Sequence, residues 1–502
     1  MRRAKDIEIA LAPKPEGASL QQWLYDEIRG AILTGRFSPG TRLPATRDLA
    51  TRFAISRGTV LGVFAQLHAE GYVTAAVGRG SFVAAELPER RLVPGKHRAK
   101  SAQPAVRSAD AHIELSARGA LLSRTAFQVE GRATPARAFR PSQPDLAAFP
   151  SALWSKLAAR RSRRFRGDML ADGEAQGYGP LREAIAEHVR TARGITCSAG
   201  NVVMLSSVQQ AIDLSARLLL DPGDTALLED PGYPGAKLAL EAAGARVVGV
   251  PVDADGMNVE WACRHAADAR LAYVTAGRQA PMGPPLALER RLALLEWARR
   301  SGAVILEDDY DSEYRFEGRP LAALKSLDES GHVVYCGTFS KLLFPALRMA
   351  YAIVPDRLVD AFAAALSLTS RHLAVDQQSI LHAFIAEGHF GRHIRRMRLL
   401  YGERAQALKY SIERHLGGLL ALPAITTGLD TPAFLPGKTD DARVARHAAL
   451  AGIETRPLSF YALERAVPPG LVLGFAAFDS DEIERGAVCL ARVLERARAH
   501  GT

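Results

Sequence analysis

The chain has 502 residues and a mass of 54.1 kDa, room for about two to four domains at roughly 100–200 residues each. With 48% hydrophobic and 24% charged residues it is neither a disordered chain nor a collagen-like repeat. No apolar run approaches the ~18 residues that cross a bilayer. Lys and Arg outnumber Asp and Glu by 64 to 54, a formal charge of +10. Such an excess favours nucleic acid, but weakly when it is diffuse. Here it is uneven: residues 1–84 carry a net +4 and residues 85–112 a net +3. Cys197, Cys263, Cys336 and Cys489 form no CxxC pair and no zinc spacing. The basic N-terminus has no apolar signal core behind it. Both features predict a reduced, cytoplasmic protein with no structural metal and no membrane partner.

In chain order, Leu20, Leu24, Ile28 and Ile32 repeat on one helical face across residues 17–34. Gly35 ends that helix, and Phe37-Ser38-Pro39-Gly40 reads as a turn. Helices over 46–53 and 57–70 follow, the second stopped by Gly71. Residues 72–74 and 81–83 read as two strands joined around Gly78-Arg79-Gly80. Three helices and a hairpin in this order make a winged helix-turn-helix, assigned to residues 17–84. Residues 85–112 lose periodicity and are basic and proline-containing, the composition of an exposed linker.

After residue 140 the texture changes, within a domain assigned to residues 113–502. Apolar runs at 202–205, 225–228, 246–250, 271–275, 304–306, 333–335 and 351–354 read as strands, several of them buried on both faces. Helical stretches at 209–220, 235–243 and 287–300 alternate with them. The alternation predicts an α/β domain with a mostly parallel sheet. Mixed strands and a final helix over 430–500 predict a smaller terminal lobe.

Two sets of residues carry chemistry. In the first, Ser56 is a good N-cap, which puts Arg57 and Thr59 on the first turn of a helix. In helix-turn-helix proteins that turn enters the major groove. An arginine there can pair with guanine or grip phosphate. Gly78-Arg79-Gly80 permits a tight wing tip. The blocks Gly40–Ala50, Ile55–Val60 and Gly78–Val83, in this order, resemble the GntR-type winged helix. The resemblance implies double-stranded operator DNA as a partner and Arg47, Ser56, Arg57, Thr59 and Arg79 as its contacts. Leu61-Gly62-Val63 is more apolar than the usual recognition-helix middle.

In the second set, Thr338-Phe339-Ser340-Lys341 ends an apolar run in a lysine able to form a Schiff base. Arg348 could hold a phosphate bidentately. Ile305–Asp311 is an apolar strand ending in acids and a tyrosine; a buried Asp there can keep a pyridinium nitrogen charged. Ser206–Gln210 joins a strand to a helix, placing amides where phosphate binds. With Glu229–Gly235 and Gln176–Arg182, these stretches resemble a fold-type I aminotransferase.

The order of modules resembles the MocR-type branch of the GntR regulators. That implies pyridoxal 5'-phosphate, with Lys341 as its aldimine lysine, Asp308 at the pyridine nitrogen and Tyr310 at the phenolate oxygen. It further implies Tyr233 stacked on the ring, and Ser207, Val208, Gln209, Ser340 and Arg348 around the phosphate. It also implies a homodimer, possible exchange of winged helices between subunits, and a small amine or amino-acid effector, or the cofactor itself, sensed as an aldimine. The alternative is an active aminotransferase with an appended regulatory domain.

Three departures bear on that alternative. Ser207 stands where the family usually has glycine, and Arg278 where it has histidine. The late strand Gly470–Ala476 lacks the arginine that anchors a substrate carboxylate in transaminases. Arg456 is a weak substitute that reads more simply as a surface charge. The expectation is therefore at most weak transamination. The basic run Arg160–Arg166 reads as a solvated face or an inter-domain contact.

Overall fold

A computed structural model describes residues 12–15, 17, 19–76, 80–87, 114–124, 136–163, 167–318 and 321–499. The chain divides into two compact units, Met1–Ile113 and Glu114–Thr502. Most of the expected linker, the wing tip with Arg79, and Arg164–Arg166 lie outside the described residues.

In the first unit, α1 (Leu20–Leu33), α2 (Thr46–Arg52) and α3 (Arg57–Ala69) precede a hairpin of β1 (Val73–Ala76) and β2 (Gly80–Val83). Ser19 caps α1 by accepting from the Gln22 amide at 3.1 Å. Leu24, Ile28 and Ile32 of α1 pack against Leu49, Val60, Val63, Phe64 and Leu67. Leu20, the first residue of α1, is 45% exposed and adds nothing to that core. Gly62 has a packing role: a Cβ there would lie 3.3 Å from the Gln21 amide nitrogen on α1. The strands pair Val73 with Val83 and Ala76 with Gly80. Leu43 N donates to Ser81 O at 2.8 Å and ties the α1–α2 turn to β2.

The second unit is built on an eight-stranded sheet. In chain order its strands are β3 (Val202–Leu205), β4 (Thr225–Asp230), β5 (Arg246–Asp253), β6 (Gly256–Met257), β7 (Leu271–Val274), β8 (Val304–Asp309), β9 (Val333–Thr338) and β10 (Ala350–Ile353). The spatial order is β3-β10-β9-β8-β7-β4-β5-β6. Strands β5, β4, β7, β8 and β9 are parallel. Strand β10 runs antiparallel to both β3 and β9, because β9 returns through a short connection rather than a helical crossover. A smaller antiparallel sheet, in the order β11-β13-β12, joins β11 (Asp430–Phe434), β12 (Arg456–Pro457) and β13 (Gly470–Gly474). The helices His389–His415 and Ser480–Ala499 pack with it into the largest core cluster. No helix among the described residues is long and apolar enough to cross a membrane.

Candidate cofactor site and nucleic-acid interface

Ser56 caps α3, accepting from Thr59 N at 3.0 Å, and the Ser56 and Thr59 hydroxyls lie 2.8 Å apart. Ser56, Arg57 and Arg47 are exposed and Thr59 is half-buried. The cap leaves the first turn of α3 presenting an arginine and a hydroxyl. Leu61, on the next turn, is 47% exposed, whereas Val63 is in the core. Arg57→Ala is expected to cut operator affinity by roughly 1–3 kcal/mol if Arg57 reads a base. Fluorescence anisotropy with operator and scrambled duplexes checks this. Loss on both duplexes alike would make Arg57 a phosphate contact.

The second site lies at the carboxyl ends of the parallel strands, where open α/β sheets bind ligands. Three acids leave the end of β8. Asp309 accepts from Arg193 Nε and from the Tyr335 hydroxyl, each at 2.7 Å. Asp311 accepts from Arg278 Nη1 at 3.0 Å. Asp308 differs: it is buried, and its Oδ2 accepts only the Tyr273 hydroxyl, at 2.6 Å. Each acid leaves its Oδ1 without a hydrogen bond, but Asp308 alone has no arginine beside it. Burial pushes the Asp308 carboxyl up to about 6, against the pull of the Tyr273 hydrogen bond and of the Lys341 charge.

Lys341 follows β9, half-buried, its Nζ 4.8 Å from the centre of the Tyr310 ring. The Tyr310 hydroxyl accepts from Arg278 Nη1 at 2.8 Å, so its own proton is free to point elsewhere. Burial holds that hydroxyl protonated. Arg278 is 4% exposed and is neutralised by Asp311 and Asp430.

Tyr233 stacks at 29° on Tyr273, with centroids 6.3 Å apart, and its hydroxyl meets Gln209 Oε1 at 3.3 Å. Gln209 Nε2 in turn reaches Gly235 O at 2.7 Å. Contacts therefore link Gln209, Tyr233, Tyr273 and Asp308, and separately Lys341, Tyr310 and Arg278.

The other polar residues converge through the sheet register. Phe339 N donates to Met349 O at 3.0 Å, which brings Ser340 and Arg348 to the same mouth of the β9–β10 connection. Ala350 pairs with Leu205, so the Ser206–Gln209 turn begins beside them. Ser207 caps the helix Val208–Leu219, accepting from Gln210 N at 3.2 Å. Its φ of −171° is ordinary extended backbone, so nothing at this turn requires glycine. Val208 opens the helix and packs on the sheet. The Ser340 hydroxyl is buried without a partner. Arg348 is exposed, at φ 49°, with no ion-pair partner among the described residues.

Sequence reasoning missed Tyr273, which orients Asp308, and the two aspartates that balance Arg278. A lone tyrosine inside the apolar run Leu271–Val274 was the available signal, since a buried hydroxyl must find a partner. The β13 strand indeed lacks an arginine, but Arg456 on β12 pairs in register with Val472 of β13. Arg456 is half-buried rather than a free surface charge, with its guanidinium 4.8 Å from the Phe460 ring centre. In the basic run, Arg160 pairs with Glu387, and Arg161 donates to the Tyr178 hydroxyl at 3.1 Å.

The residues fit pyridoxal phosphate. An unpaired buried carboxylate oxygen suits a pyridinium nitrogen. A helix N-terminus with a spare hydroxyl and a spare arginine suits a phosphate, and the Lys341 amine lies over the ring of Tyr310, two residues after Asp308.

Comparison with known proteins agrees. The profile "Bacterial regulatory proteins, gntR family" matches residues 20–83, and "Aminotransferase class I and II" matches residues 157–423. The chain is 38% identical over 468 residues to the "Probable rhizopine catabolism regulatory protein MocR" of Rhizobium meliloti, covering 93% of this chain and 92% of that one. It is 34% identical to the HTH-type transcriptional regulator TauR of Rhodobacter capsulatus, covering 80% and 81%. It is 29% identical to the pyridoxine biosynthesis transcriptional regulator PdxR of Corynebacterium glutamicum, covering 95% and 96%. Among solved structures, an archaeal alanine:glyoxylate aminotransferase superposes with a TM-score of 0.68 at 26% identity, covering 76% of this chain and 96% of that one. The α-aminoadipate aminotransferase LysN of Thermus thermophilus gives 0.66 at 27%, covering 72% and 92%.

Fold and site together define a DNA-binding regulator with a fold-type I, pyridoxal-phosphate-binding aminotransferase domain. Within that class the chain belongs to the MocR-type branch of the GntR family of transcriptional regulators.

Proposed function

We propose that the aminotransferase-like domain senses a small amine bearing a carboxylate, and that it does so through pyridoxal phosphate held at Lys341. The observation that carries this reading is the pairing of Asp308, whose buried Oδ1 has no partner, with Lys341 over the Tyr310 ring. Asp308 would hold the ring nitrogen, and Tyr310, fixed by Arg278, would donate to the ring oxygen. Tyr233 would cover the ring. Ser207, Val208 and Gln209 at the helix N-terminus, with Ser340 and Arg348, would hold the phosphate. The bound cofactor supplies an electron sink next to an incoming amine. Arg456, at the edge of β13, would meet the carboxylate. The winged helix, with Arg47, Ser56, Arg57, Thr59 and Arg79, would hold the operator.

A homodimer is the assembly that the resemblance to fold-type I aminotransferases implies. Domain boundaries at 17–84, 85–112 and 113–502, a cytoplasmic location and exchange of winged helices complete the reading.

Arg456 also keeps the second reading, an aminotransferase, in play, because it offers a carboxylate partner that β13 lacks. One titration separates the two. Amino acids are added to the full-length holoprotein on operator DNA while cofactor absorbance, DNA anisotropy and keto acid are followed together. A sensor shifts both optical signals with little keto acid, since only differential binding to two states moves the DNA equilibrium. Steady keto-acid release with unchanged anisotropy would establish the enzyme instead.

A further inference from the structure

The segment that follows β12, Leu458–Arg465, is fastened at two places by carboxylates. On the side of the small sheet, Asp441 accepts from Ser459 N at 3.0 Å, Ser459 Oγ at 2.5 Å and Gly470 N at 3.2 Å. On the side of the large sheet the partner is Asp230, the last residue of β4, which is 2% exposed. Asp230 accepts from three successive backbone amides: Leu463 at 2.9 Å, Glu464 at 3.1 Å and Arg465 at 3.0 Å. Gly232 N adds a bond to Tyr461 O at 2.9 Å. The Arg465 guanidinium lies 4.7 Å from the Trp261 ring centre, on the helix Val259–His265.

Room for the Asp230 carboxylate comes from Gly249 on β5, where a Cβ would lie 2.9 Å from Oδ2. A buried carboxylate is tolerated only while its charge is met. The three amides, all from this segment, are what meet it. Asp230 is therefore satisfied when the segment is docked and stranded when it lifts.

The docked segment borders the cofactor site. Asp230 lies three residues before Tyr233. The segment has Arg456 at its root and Tyr461 in its middle. The Tyr461 hydroxyl lies within electrostatic reach of Asp430, Arg456, Tyr233 and Arg278. Strand β12 fixes the Arg456 backbone against β13, but its guanidinium rests on the Phe460 ring of the segment, so docking decides where Tyr461 stands and where the Arg456 guanidinium is held relative to a molecule bound over Tyr233.

We propose that Asp230 is a positioning residue for effector recognition, docking Leu458–Arg465 so that Arg456 meets the effector's carboxylate. This rests on the reading of Arg456 given above. Asp230 touches no ligand itself; it acts through the segment.

The test uses full-length holoprotein and two probes that differ only by a carboxylate, L-alanine and ethylamine, each titrated by cofactor absorbance. The readout is the ratio of the two half-saturation concentrations. The parent is expected to favour alanine at least tenfold. Asp230→Asn keeps the shape but removes the charge that three amides share, and is expected to bring the ratio down about tenfold. The ethylamine response should stay within twofold of the parent. Arg465→Gln, a change at an exposed side chain, is expected to lower the ratio about two- to fivefold by removing the contact with Trp261. Hydrogen exchange over residues 458–466 should quicken in both variants. If Asp230→Asn does not fold, the Arg465→Gln ratio and exchange decide alone. Arg456→Ala tests the underlying reading. If it erases the preference while the other variants keep the parent's ratio, the Asp230 proposal is overturned and the Arg456 reading stands. If the parent shows no preference for alanine, both are overturned.

Discussion

Lys341→Ala is expected to abolish the adduct that borohydride fixes in the parent. Peptide mass spectrometry of the reduced parent should place the cofactor's mass on the Lys341 peptide and nowhere else. Lys325, the nearest lysine in sequence, is held by Asp328 at 2.9 Å. The variant keeps Asp308, Tyr310 and the helix N-terminus, so the cofactor should still bind reversibly. Its affinity should fall on the order of 100-fold, about 3 kcal/mol, and dialysis should then remove it. A reducible adduct of the same mass in the variant would overturn the assignment of Lys341.

Asp308→Asn is expected to act in opposite directions on the apoprotein and the holoprotein. Burial raises the Asp308 carboxyl from its ordinary value of 3.8 to about 6. A raised acid favours the folded state at low pH. That contribution is complete below the unfolded value and is lost as pH rises through about 6. The rise from 3.8 to about 6 corresponds to about 3 kcal/mol. Asparagine carries no such titration. The stability of variant apoprotein relative to parent should therefore climb by about 2–3 kcal/mol between pH 4 and pH 8. The other buried acids that burial raises in the same way, Asp311, Glu229 and Glu307, are unchanged in the variant. With cofactor the order reverses, because the parent's carboxylate gains a cationic partner and the amide does not. Urea denaturation at several pH values, with and without pyridoxal phosphate, measures both. A parallel pH dependence in parent and variant apoprotein would show that Asp308 is not the strained group.

Much of this was legible in the sequence, for reasons that differ between elements. The strands of the large sheet are short apolar runs with few alternatives, and α1 to α3 have caps and one-sided patterns. Lys341, Asp308 and Tyr310 are conspicuous because each lies at or just past the end of a buried strand, and their roles follow from the resemblance to fold-type I aminotransferases. The cross-strand partners were not legible. Tyr273 matters because β7 lies beside β8, and Asp430 because β11 comes within reach of Arg278; both are facts of three-dimensional arrangement. Arg456 was undervalued for the same reason. It lies sixteen residues before Val472 in the chain, yet the two are cross-strand neighbours. The antiparallel β10 was hidden because an apolar run does not reveal its direction.

Arg278 has a bearing on how the second unit can breathe. It reaches from the β7 end to the Tyr310 hydroxyl, to Asp311, and to both the carbonyl and the carboxylate of Asp430 in the small sheet. Parting the two sheets at this point would strip a buried guanidinium and two aspartates of one another, and breaking such a pair costs about 3–5 kcal/mol. Along that seam the lobes therefore behave as one thermodynamic piece. Opening fluctuations that admit or release a small molecule are channelled to the far side of the site, where backbone amides and the Ser459 hydroxyl on two carboxylates, Asp230 and Asp441, and a surface ring contact hold Leu458–Arg465 in place.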